Sequence, residues 1–166
     1  MIEAKKLIGL PVAAIDAERK IGEVKEIIVD PETGKLHGFL VKTGRVFSHT
    51  LALSIVDIKE WDPNGLVTSS VENLVEPSEI YRIKDVLDKN QLILNMHAQT
   101  ESNKSLGLCE NFLIDTVTES VVKFYLKDIL GKTRIFPHDA LVKIDKALIF
   151  RDDVAEVPSG GETAIA

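Results

Sequence analysis

Apolar residues in this chain fall in short runs separated by polar turns. Ile27-Ile28-Val29 and Phe39-Leu40-Val41 flank the segment Asp30-Pro31-Glu32-Thr33-Gly34. β-Branched and aromatic side chains suit a pleated, half-buried surface, so the pattern predicts a hairpin over Ile21 to Lys42. Pro31 presets the φ that a type I turn needs, Asp30 can accept from the amides that follow it, and Gly34 can take a positive φ. A strand interrupted by Gly9 and Pro11 is expected from Leu7 to Ile15. Another hairpin is expected from Ile55 to Thr68, around Trp61-Asp62-Pro63-Asn64-Gly65. Short strands at close spacing point to an all-β fold made of small barrels or sandwiches.

The pattern then recurs. When Leu7 is set on Leu92, the chain registers with itself without a gap as far as Lys42 on Lys127. Gly22 meets Gly107, Asp30 meets Asp115, Thr33 meets Thr118 and Phe39 meets Phe124. Further on, Val56-Asp57-Ile58 lines up with Val142-Lys143-Ile144, with a longer turn in the first copy. Self-similarity at a fixed period is the mark of a duplicated unit. The second hairpin has Thr116 for Pro31 and Glu119 for Gly34, which predicts a looser turn or one of another type. Between the copies, Ile80, Ile83 and Leu87 recur at helical spacing after Pro77 and Ser78, predicting a short helix that ends near Asn90. The expected organisation is a first barrel over residues 1–77, a helical linker over 78–91, a second barrel over 92–157 and a mobile tail over 158–166.

Charge and composition narrow the function classes. The chain of 166 residues carries a net charge of -6, and no basic run appears. Phosphate backbones are held by clustered Lys and Arg, so direct nucleic-acid binding is not expected. Cys109 is the only cysteine and aligns with Val24, which reads as a small buried hydrophobe in a reducing compartment. The first residues lack a signal-peptide core, and no apolar run reaches the roughly 20 residues that span a bilayer. A cytoplasmic protein with no membrane span is therefore expected.

No catalytic or metal constellation emerges. His37, His49, His97 and His138 stand apart from one another and from Cys109, without the spacing of a zinc site. Ser48 and His49 are neighbours and would point to opposite faces of a strand. No glycine pattern forms a phosphate loop. No enzymatic activity, cofactor or metal is expected. The hairpin strands are apolar on both faces, so one face fills a barrel and the other needs cover from the second copy, the linker or a partner. Trp61, Phe47, Tyr81 and Tyr125 are the candidate protein-contact residues, with a purely structural lid as the other reading of Trp61.

Leu7-Ile8-Gly9, then Ile21-Gly22-Glu23-Val24, then Asp30-Pro31-Glu32-Thr33-Gly34 resemble the PRC-barrel domain family. Ile135-Phe136-Pro137-His138-Asp139-Ala140-Leu141-Val142 is similar to the family's approach to its last hairpin. The resemblance covers nearly the whole chain as two tandem copies, and the first matches better. It implies a small, strongly bent β-barrel with no active site, used for protein–protein contact. Such domains occur in the photosynthetic reaction-centre H subunit, in a bacterial ribosome maturation factor and in standalone proteins. The resulting expectation is a non-enzymatic cytoplasmic adaptor that binds a protein of unknown identity, with a homo-oligomer as a further partner arrangement. A ribosome-assembly factor contacting a ribosomal protein is the alternative, and a small-molecule or metal-binding barrel with a polar pocket between the copies is a third.

Overall fold

A computed structural model describes residues 1–157; the tail expected over 158–166 lies outside the described residues. In chain order the elements are β1 (Ile2–Glu3), α1 (Ala4–Leu7), β2 (Pro11–Ala14), β3 (Arg19–Val29), β4 (Leu36–Thr43), β5 (His49–Ser54), β6 (Ile58–Asp62), β7 (Gly65–Thr68) and β8 (Leu74–Val75). Then come α2 (Tyr81–Asp88), β9 (His97–Thr100), β10 (Ser105–Asp115), β11 (Ser120–Lys127), β12 (Thr133–Pro137), β13 (Leu141–Ile144) and β14 (Leu148–Phe150). The fold is all-β, with two barrel-like units joined by a short helix.

Each unit is one curled sheet. The first runs β6-β7-β2-β3-β4-β5-β8 and the second β13-β14-β9-β10-β11-β12, with β1 added against β10. In both units the strands β2 and β9 take a parallel partner, β7 and β14 respectively. The irregularities coincide as well. β3 and β4 slip between Val24 and Glu26 and again between Ile28 and Val29. β10 and β11 slip between Cys109 and Asn111 and again between Leu113 and Ile114. A bulge adds an unpaired residue and bends the strand, so equal bulges give the two hairpins equal curvature.

The gap-free alignment from Leu7 fails before the hairpin. Val12 opposes Gly22 in the first unit, and Ala98 opposes Gly107 in the second. Ala98 therefore stands where Val12 does and not where Ala13 does. The cause is a shorter loop from Thr100 to Ser105 than from Ala14 to Lys20. The later alignment is also corrected: Ile58 faces Thr68 and Leu141 faces Phe150, so Ile58 corresponds to Leu141. The first strand is shorter than expected as well, since Ala4–Leu7 is helical and Gly9, at φ 87, redirects the chain into Pro11.

The turn at Glu119 is neither looser nor of another type. Glu119 takes φ 53 where Gly34 takes φ 72. Asp115 accepts from the amides of Val117 and Thr118, as Asp30 does from Glu32 and Thr33. The capping aspartate fixes the turn, and the left-handed residue follows even at the steric cost of a Cβ.

One apolar core runs through both units, from Ala4, Leu7, Val24 and Phe39 to Cys109, Phe112, Phe124, Phe136 and Phe150. A smaller cluster lies on the outer face of the first hairpin, where Ile28, Leu40 and Ala52 are covered by Ile83 and Val86 of α2. The linker thus supplies the cover that this two-sided hairpin needs. Fully burying a side chain such as Ile83 contributes about 1.5–3 kcal/mol.

Candidate contact surface at the junction of the units

The two units meet at the turns of their long hairpins. The amide of Leu36 donates to the carbonyl of Glu119, and the amide of Val121 donates to the carbonyl of Gly34, at 2.8 and 2.9 Å. Lys35 and Ser120 form an antiparallel bridge between them. Leu36 and Val121 are equivalent positions, as are Gly34 and Glu119, so the junction has a local pseudo-two-fold. The segments that precede each unit reinforce it. β1 pairs with β10, placing Ile2 opposite Ile114. Asn111 Oδ1 accepts from the amide of Lys5, and its Nδ2 donates to Glu3 Oε2. In the mirror-image role, α2 rests on β3 and β4.

Beside this junction lies an open cleft of about 530 Å³. The Asp30 turn supplies Asp30, Pro31, Glu32 and His37. α2 and its end supply Tyr81, Arg82, Asp85, Lys89 and Gln91, and the hairpin β13–β14 supplies Val142, Lys143 and Asp145. Several of these charges are already paired: Lys89 with Asp85 at 2.8 Å, Lys143 with Asp145 at 3.9 Å, and His37 with Asp30 at 3.6 Å. Arg82 has no carboxylate within ion-pair distance among the described residues. Gln91 donates through Nε2 to the carbonyl of Ile144 at 3.2 Å, and its Oε1 is buried without a bond to any of the described residues.

Burial lowers the pKa of His37; Asp30 opposes the shift and Arg82 adds to it. Burial also pulls Asp30 upward, but the amides of Glu32 and Thr33 outweigh it and hold the carboxyl below its usual range. The cleft thus presents the His37 imidazole beside Asp30, the Arg82 guanidinium and the exposed ring of Tyr81. Among the described residues no group of three or more His, Cys, Asp and Glu side chains could hold a metal ion, and no helix is long and apolar enough to cross a membrane.

The four sequence-based candidates do not converge. Tyr81, 78 % exposed, borders the cleft. Phe47, 83 % exposed, lies outside it in the turn between β4 and β5. Trp61 is half-buried and packs edge-on against Phe39, with centroids 5.7 Å apart. Tyr125 is half-buried under the Lys123 ammonium at 5.6 Å. Cys109 is buried, and burial pushes its thiol up to about 12. Sequence reasoning missed Arg82, Gln91 and Asn111. Polar residues in a linker and on a strand carry no periodic signal, and only the fold shows what they face.

A comparison with curated proteins finds no match. Residues 1–74 match the family model of the PRC-barrel domain. Domains of that family are generally non-catalytic. The matched span covers the sheet β2 to β7 and its curled hairpin, and the chain therefore carries a PRC-barrel domain in its first half.

Proposed function

We propose that the chain is a tandem of two PRC-like barrels that works as a non-enzymatic cytoplasmic adaptor. Its partner is a protein seated in the cleft between them. The family match spans residues 1–74; for the second barrel, the shared strand order, the parallel closing pair and the coincident bulges support descent from the same unit.

One observation carries the contact reading: exposed Tyr81 stands in the cleft beside Arg82, which has no carboxylate partner among the described residues. A carboxylate on a docked segment would pair with Arg82. Aromatic and arginine side chains are the usual anchors of protein interfaces.

A photo-cross-linking amino acid at Tyr81 tests this in cells. The expected result is a discrete cross-linked protein whose yield drops at least fivefold when Arg82→Glu is added. Finding neither a partner nor self-association, or a cross-link indifferent to Arg82→Glu, would overturn the reading.

A further inference from the structure

The turns joining β4 to β5 and β11 to β12 occupy equivalent places. Lys42 pairs with Thr50 at the base of one, and Lys127 with Thr133 at the base of the other. Their sequences differ, Gly44-Arg45-Val46-Phe47-Ser48 against Asp128-Ile129-Leu130-Gly131-Lys132, yet both put two large apolar residues at the tip. Val46 and Phe47 are 85 % and 83 % exposed, and Ile129 and Leu130 are 97 % and 88 % exposed. Nothing in either turn requires them. The second tip is held by Asp128 Oδ1, which accepts from the amides of Leu130 and Lys132 at 2.9 Å. The first is closed by Gly44 at φ 80 and by the Thr43 hydroxyl, which donates to the carbonyl of His49.

The flanks share a charge. Residues 42–49 hold Lys42 and Arg45 and no carboxylate, and residues 127–134 hold Lys127, Lys132 and Arg134 against Asp128 alone. In the fold Glu23 faces Lys42, Arg134 is largely buried and pairs with Glu156, and Glu110 accepts from Thr133. The exposed cations at the tips are therefore Arg45 in the first turn and Lys127 and Lys132 in the second, in a chain whose net charge is -6.

We propose that these two tips are interfacial anchors that dock the protein on an anionic lipid surface. An apolar side chain at a convex tip with cations beside it is what a bilayer interface rewards: the apolar group enters the acyl boundary, and the lysines and arginines stay at the headgroups. A protein interface wants roughly 800 Å² of complementary surface on each side, far more than a two-residue tip offers. A bilayer needs no shape match. The tips lie outside the junction cleft, so this docking stands apart from the adaptor reading.

The experiment is co-sedimentation of the purified full chain with vesicles of phosphatidylcholine alone or mixed with phosphatidylglycerol. The expected result is binding only to the mixed vesicles, weakened by salt. Val46→Ser with Phe47→Ser, or Ile129→Ser with Leu130→Ser, should each lower partitioning severalfold, and all four together at least tenfold. Arg45→Glu with Lys132→Glu should weaken binding without touching the apolar tips. Circular dichroism should show every variant folded, since these side chains touch no core. The proposal is overturned if the wild-type chain binds neither vesicle or if the four-serine variant binds as the wild type does. It is equally overturned if the serine substitutions change only self-association in sedimentation velocity.

Discussion

The amide of Leu36 donates to the carbonyl of Glu119 at 2.8 Å, and the residues equivalent to these two return the bond in reverse. That exchange places Gly34 against the second unit. A Cβ added to Gly34 would lie 2.1 Å from His138 Nε2, at a φ of 72 that disfavours any side chain. Gly34→Ala should therefore cost about 1–3 kcal/mol by overpacking and backbone strain. The overpacking part of that penalty should vanish in a His138→Ala background while the backbone strain stays, which a double-mutant cycle by urea unfolding would measure.

Asn111 ties the first residues of the chain to the second unit. Its Oδ1 accepts from the amides of Lys5 and Phe112, each at 3.0 Å. Asn111→Leu would leave the buried amide of Phe112 and the part-buried amide of Lys5 without that acceptor. The expected loss is about 1–3 kcal/mol per orphaned group. Hydrogen exchange should then rise first along β1, α1 and the facing part of β10, while α2 keeps its protection. Unchanged protection in those segments would refute this role.

His37 and His138 set the neutral-to-acid limb of stability. Burial lowers both pKa values, opposed at His138 by Asp139. The unfolded chain then binds more protons than the folded one below about pH 6.5, the ordinary histidine value. Stability is full above that pH and falls as pH drops toward the lowered folded values. Urea midpoints should decrease between pH 7.5 and pH 5.5, and His138→Gln should flatten the slope. A midpoint that rises on acidification over this window would contradict the burial of these imidazoles. A second decline is expected near pH 4 and below, as Asp30 and Asp115, held low in the folded state, become protonated. For Asp115 the amide of Val117 is the main cause.

Much of this architecture was legible in the residues, because hairpins are written locally. Asp30, Pro31 and Gly34 state a turn, and Asp115 and Thr118 state its copy. The stripe Ile80, Ile83 and Leu87 gave α2, although the helix starts at Tyr81 and the preceding 3₁₀ turn is held by a Glu76–Glu79 capping box without a cap from Ser78. What stayed hidden was non-local. Loop shortening shifted the true correspondence by a residue at Val12 and Ala98, and identity alone favoured the wrong neighbour, Ala13. The return of β1 onto β10 has no sequence signal, since Ile2 and Glu3 are too few to show a period. Of the aromatic candidates, burial separated Trp61 and Tyr125 from the exposed Phe47 and Tyr81, and sequence carries no measure of that.

The most direct test of the junction uses two native reporters. The chain has one tryptophan, Trp61, in the first unit, and one cysteine, Cys109, in the second. Fluorescence of Trp61 and thiol labelling of Cys109 can be followed across the same urea gradient. Because one core and the Leu36–Glu119 exchange join the units, the expected result is two coincident transitions with a single midpoint. A Cys109 transition displaced from that of Trp61 would show that the units unfold separately, and the junction would not be the structural whole described here.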